Sequence, residues 1–160
     1  MEKLVKYIER IELYSSMLLL VVMILLLITS VLLRYVFHTP AIWISATITL
    51  IFIWASMLSI SYVYKKRGHI AITYFVDMFS NKKIRLTISI FIYLIIFTSL
   101  LLAGIGTIRI LPVHAGRFII GLRISRVFYS VAILIAVFSM LLTTIHFMFL
   151  QIKEYIQLSK

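Results

Sequence analysis

Four long apolar runs decide what this chain can fold into: Leu13–Leu33, Ala41–Tyr64, Leu86–Ile108 and Val127–Leu150. Each holds 21 to 24 residues. At about 1.5 Å per residue each reaches roughly 31 to 36 Å, enough to cross a hydrocarbon core of ~30 Å with some tilt. No carboxylate falls inside any run, and His146 is the one commonly ionisable group within them. With 63% of its 160 residues hydrophobic, a water-soluble fold would have no way to hide this apolar surface. The expectation is an all-α integral membrane protein. It would form one domain over 1–160, with transmembrane helices at about 13–33, 41–64, 86–108 and 127–150.

The first run follows the basic stretch Met1–Arg10. It is too long for the core of a signal peptide and ends in Leu32-Leu33-Arg34 rather than at small residues, so it reads as a retained helix. The formal charge of +11 would suit nucleic acid, but every Lys and Arg lies outside the runs. Nucleic acid is therefore not expected as a partner. Lys and Arg divide by side into eleven with the termini and the middle loop, and five on the other: Arg34, Arg109, Arg117, Arg123 and Arg126. That bias predicts cytoplasmic N and C termini.

The connecting segments are themselves partly apolar. Leu4, Tyr7, Ile8 and Ile11 recur at helical spacing ahead of the first run. Ile70, Tyr74, Met78 and Phe79 do so in the middle loop, predicting a short interfacial helix over about 70–80. The segment 109–126 mixes arginines with Phe118, Ile119, Ile120, Leu122 and Ile124 around Pro112, Gly116 and Gly121. It is expected to lie against the membrane or a partner.

The chemistry implied is sparse. The five acids are Glu2, Glu9, Glu12, Asp77 and Glu154, all outside the runs, whereas pumps and coupled transporters commonly use intramembrane carboxylates. No catalytic pairing of nucleophile and base is visible, and the chain has no cysteine. Neither a metal nor another cofactor is expected. His38, His69 and His114 fall in loops and only His146 in a run, a poor basis for haem ligation from facing helices. Ser45, Thr49, Ser56 and Ser59 share one face of the second run. Small hydroxylated residues permit close helix approach, either within the four-helix unit or against another membrane protein. Arg34, Tyr35 and Trp43 are equally what interfacial anchoring would place at their depth. The basic run Lys65-Lys66-Arg67 reads as a topology signal meeting anionic lipid, with His69 close behind.

In order along the chain, Arg34-Tyr35-Val36-Phe37-His38-Thr39-Pro40, Trp43 and Lys66-Arg67-Gly68-His69-Ile70 resemble the small membrane subunit of tripartite ATP-independent periplasmic (TRAP) transporters. Two departures stand out: the family's usual acidic pair after the Trp is replaced by Ser45 and Ala46, and a common glycine by Ser59. The resemblance implies a non-catalytic scaffold in the bacterial inner membrane. Its partners would be a large elevator-type membrane subunit and a periplasmic binding protein, in sodium-coupled uptake of an organic acid such as a C4-dicarboxylate or a sialic acid. Expected partner contacts are Arg34, Tyr35, Phe37, Trp43, Ser45, Thr49, Ser56 and Ser59. Lys66, Arg67 and His69 belong to the interfacial motif, and Arg109, Arg117 and Arg123 are candidates for binding-protein docking. The alternatives are a self-contained small channel or carrier, a cytochrome-like protein, or an assembly factor.

Overall fold

The computed structural model describes residues 2–39, 42–76 and 82–159, with side chains for 7–39, 42–66 and 84–157. It has four α-helices: α1 (Glu2–Tyr35), α2 (Ile42–Val76), α3 (Lys82–Ala115) and α4 (Val127–Ser159). Each contains a stretch long and apolar enough to cross a membrane: Tyr7–Tyr35, Ile42–Lys66, Ile84–Ala115 and Val127–Gln157. Helices of 33 to 35 residues are about 50 Å long, so each projects well beyond a hydrocarbon core of ~30 Å. The segment expected to form a separate interfacial helix is, as far as Val76, the continuation of α2; residues 77–80 lie outside the described ones.

The helices do not form a square bundle. α1 packs on α2, α2 on α4, and α4 most extensively on α3, while α2 meets α3 only slightly. The result is a row in the order α1, α2, α4, α3. Burial follows that order: 39% of the most apolar stretch of α4 is buried, against 6% of that of α1. α4 can sit centrally because its packed face is built from small residues. Ser130, Ala132, Ala136, Ser139, Thr143 and Thr144 are all buried there. Tyr93 of α3 is buried, with its ring centroid 5.9 Å from that of Phe147 on α4. α1, in contrast, exposes Met17, Leu18, Val21, Leu25, Ile28 and Leu32, as suits a helix solvated by lipid.

Hydroxyls along the helices turn back on their own backbone. Thr29, Thr47, Thr49, Thr98, Ser99 and Thr107 each donate to the carbonyl four residues earlier, at 2.8–3.0 Å. That is how a polar group is satisfied where water is absent.

The connections are ordered by local bonds. After α1, His38 takes the left-handed conformation (φ 55), and the Thr39 N–H reaches back to Leu33 O at 3.0 Å. Between α3 and α4 the chain forms a small hairpin. Phe118 bridges Ser125, Ile119 N–H donates to Ile124 O at 2.8 Å, and Arg126 N–H donates to Arg117 O at 2.9 Å. Its tip turns at Gly121, with φ 95 and the backbone pressed against the first turn of α2. A Cβ there would stand 3.2 Å from Trp43 Cα and N. One end of the molecule therefore carries this hairpin and the α1–α2 connection, and the other carries both termini and the α2–α3 connection.

Gly121→Ala combines a left-handed backbone with a steric conflict against main chain. It should lower stability by more than about 1 kcal/mol. Gly116→Ala, whose Cβ would meet nothing within 4 Å, should be near neutral. Thermal unfolding of the purified variants in one detergent compares the two.

Candidate functional site

Two polar sites stand out in an otherwise apolar molecule, one at each end.

The first is a buried ionic cluster toward the end that carries the termini. Glu12 is 3% exposed and Lys65 8%. The Lys65 ammonium donates to Glu12 Oε2 at 2.6 Å and to Ser139 Oγ at 2.7 Å. Glu12 Oε1 accepts from Ser61 Oγ at 2.9 Å and from Ser139 Oγ at 2.7 Å. One carboxylate thus collects three donors from α2 and α4, and the ammonium finds two acceptors from α1 and α4. Beside the cluster, Thr144 gives its single hydroxyl hydrogen to Met140 O at 2.8 Å. Tyr64 must therefore donate in the 2.7 Å bond between its phenol and Thr144 Oγ1, a second tie from α2 to α4.

This cluster corrects two expectations. Glu12 was expected to lie outside the spanning segments, but α1 begins ten residues before it, and the apolar stretch Tyr7–Tyr35 includes it. Lys65 was expected to meet anionic lipid, but α2 continues past it and turns its side chain inward. Only Lys66 of that pair is exposed. It donates to Tyr62 Oη at 2.8 Å and lies 5.2 Å from the centre of that ring. The missed signal was available: Ser61 and Lys65 are four residues apart, so they share a face of α2, and a carboxylate stands at the edge of the preceding run.

The second site is a groove of about 310 Å³ at the hairpin end. Ala46 and Thr49 of α2, His114 near the end of α3, Ile119 of the hairpin, and Arg126 and Tyr129 at the start of α4 line it. His114 Nδ1 lies 2.7 Å from the buried Ser130 Oγ, and Ser125 Oγ donates to the His114 carbonyl at 3.1 Å. These bonds tie the hairpin, the end of α3 and the start of α4 together. Arg126 did not stand out in the sequence from the other arginines, because nothing in its spacing separates it from Arg117 and Arg123.

The residues expected to contact partners are largely on the outside. Arg34, Tyr35, Phe37, Trp43, Ser45 and Thr49 are exposed, and Ser56 and Ser59 half-buried. The face of α2 that packs inside the chain instead holds Ile44, Ala55, Ser61 and Lys65. Thr49 commits its hydroxyl hydrogen to Ser45 O at 3.0 Å, so toward a neighbour it offers small size and an acceptor. Arg109, Arg117 and Arg123 are all exposed at the hairpin end. The side chains of Arg67 and His69 lie outside the described residues. His146 is half-exposed on α4, its ring centroid 6.1 Å from that of Phe147.

A row of helices of membrane-spanning length, with its buried charges paired internally, defines a membrane protein. Residues 23–154 match the family described as the DctQ component of tripartite ATP-independent periplasmic transporters, and the chain belongs to that family. It is thus an inner-membrane component of a transport system. Over 100 residues it is 32% identical to the sialic acid TRAP transporter permease protein SiaT of Haemophilus influenzae (strain 86-028NP). The match covers 61% of this chain but 16% of that permease, so the chain spans only a small part of the relative's length.

Glu12→Ala strands the Lys65 ammonium in a buried site and should destabilise the protein by roughly 3–5 kcal/mol. Glu12→Leu combined with Lys65→Met removes both charges and should recover most of that loss. The fraction of each variant that stays monodisperse after graded heating in detergent measures the difference.

Proposed function

We propose that this chain is the non-catalytic scaffold subunit of a TRAP transporter. It would brace a large elevator-type membrane subunit during sodium-coupled uptake of an organic acid, delivered by a periplasmic binding protein. The observation that carries this reading is the exposed face of α2. Ser45, Thr49, Ser56 and Ser59 run along it with Phe52, Ile60 and Val63; Ser56 and Ser59 are half-buried and the others exposed. A stripe of small residues beside exposed aromatic and branched side chains is suited to close packing by a helix of another protein. Arg34, Tyr35, Phe37 and Trp43 extend the same contact at the hairpin end.

The buried cluster supports a static role. Glu12 is held by Lys65 and two serines, so its carboxylate is not free to take up and release a coupling ion. The relative's name adds a candidate substrate, a sialic acid, and most of that permease lies outside the match, leaving room there for a larger transport unit. The charge asymmetry supports cytoplasmic termini, with Lys66 facing anionic headgroups and the hairpin end facing the periplasm. There Arg109, Arg117 and Arg123 would guide an acidic binding protein.

Expressed together with the large subunit of its own system, the tagged chain should bring that subunit down stoichiometrically. The pair, reconstituted with the binding protein and a sodium gradient, should accumulate a sialic acid while the chain alone moves no solute. Transport by the chain alone would establish a self-contained carrier instead.

Arg117→Glu with Arg123→Glu should reduce uptake several-fold at low ionic strength and flatten its dependence on salt. Initial uptake rates across a salt series check this, and unchanged rates would remove the docking role.

A further inference from the structure

The groove at the hairpin end has a charge that no acid among the described residues answers. Arg126 is half-buried there, with its own N–H fixed to Arg117 O at 2.9 Å, and its side chain enters no ion pair among the described residues. Among the described residues no acid stands at that end: Glu2, Glu9 and Glu12 lie in the first turns of α1 and Glu154 near the end of α4, toward the opposite end of the molecule. Glu12, the buried one, is already bound to Lys65.

Tyr129 and His114 line the groove with Arg126, and the His114 ring is held by Ser130 Oγ, 2.7 Å from its Nδ1. Ala46 contributes only a methyl group on the α2 side, which leaves the space open. Thr49 lies seven residues into α2, about 10 Å along the axis from its start. It is shared by the groove and by the exposed small-residue face. A helix packed along that face would reach the groove with a side chain from within the membrane. Arg34, Arg109, Arg117 and Arg123, by contrast, are exposed on the surface rather than set in a recess.

We propose that this groove is an anion site that receives the carboxylate of an acidic side chain from the large membrane subunit, with Arg126 as its charged ligand and Tyr129 and His114 beside it. The inference rests on the scaffold reading and deepens it by naming the chemistry that sets the register of the two subunits. A planar guanidinium offers paired donors to a carboxylate, and Lys cannot reproduce that geometry.

The test is co-purification of the co-expressed large subunit through a tag on this chain, for wild type, Arg126→Glu, Arg126→Lys and the terminal-end control Lys153→Glu. Circular dichroism and gel filtration establish that each variant is folded. Recovery of the large subunit should fall at least tenfold for Arg126→Glu, fall less for Arg126→Lys and hold for Lys153→Glu. An acid-to-Arg substitution in the large subunit should restore recovery with Arg126→Glu. Undiminished recovery with Arg126→Glu overturns the inference and leaves the scaffold reading in place. So does undiminished recovery accompanied by loss of bound phospholipid in native mass spectrometry, which would assign the groove to a lipid headgroup. If the wild-type chain brings down no large subunit, both readings fall together.

Discussion

The ion pair between Glu12 and Lys65 is the constraint on which the arrangement of the helices depends. A charge taken out of water costs several kcal/mol even after the surroundings relax, and the attraction of a partner offsets this only if the remaining hydrogen-bonding capacity is also met. Here it is met from three helices. Ser61 of α2 and Ser139 of α4 complete the shell around a carboxylate from α1. The pair fixes more than it stabilises: it sets the register of α1 against α2 and brings α1 into contact with α4. Elsewhere α1 has chiefly α2 to pack on and lipid to face. Apolar side chains in lipid have little preference for one another, so a rotation of α1 about its axis would be resisted mainly by this polar contact.

The rest of the fold follows the same division between lipid-facing and protein-facing surfaces. α4 occupies the middle of the row because its alanines, serines and threonines let neighbouring backbones approach closely. α2 has two working faces. One, through Ile44, Ala55, Ser61 and Lys65, belongs to the chain itself. The other holds the exposed Ser45 and Thr49 and the half-buried Ser56 and Ser59. At the hairpin end, Gly121 presses against the start of α2 while Ser130 and Ser125 hold His114, so that end is shaped by main-chain and hydroxyl contacts rather than by a hydrophobic core.

Much of this was legible in the sequence, and the failures have identifiable physics. The four runs were readable because lipid demands long uninterrupted apolar stretches, and all four appear as helices. The family was readable from Arg34-Tyr35, Trp43 and the Lys66-Arg67-Gly68-His69 segment in order, and residues 23–154 match it. The helix ends were not readable, since hydropathy marks where lipid begins and not where backbone hydrogen bonding stops. That is why residues 70–76 extend α2 and why Glu12 lies inside α1. The buried pair joins groups 53 positions apart; the shared face of Ser61 and Lys65 and the carboxylate at the edge of the first run hinted at it, but spacing within one helix does not say which charge on another helix answers it. Arg126 was hidden for a related reason: its recess is made by Ala46 and Thr49, residues about eighty positions earlier, whose contribution is space rather than contact.

The sequence separations within the ionic cluster also order its completion. Lys65 reaches back 53 positions to Glu12, and Ser139 reaches back 127. A chain made from its N-terminus therefore has Glu12 long before it has the ammonium that neutralises it, and longer still before the hydroxyl that closes the shell. Until α4 arrives, the carboxylate can be kept at the membrane surface by water or placed inside half-satisfied. α4 is thus the helix that completes the shell around the carboxylate of α1.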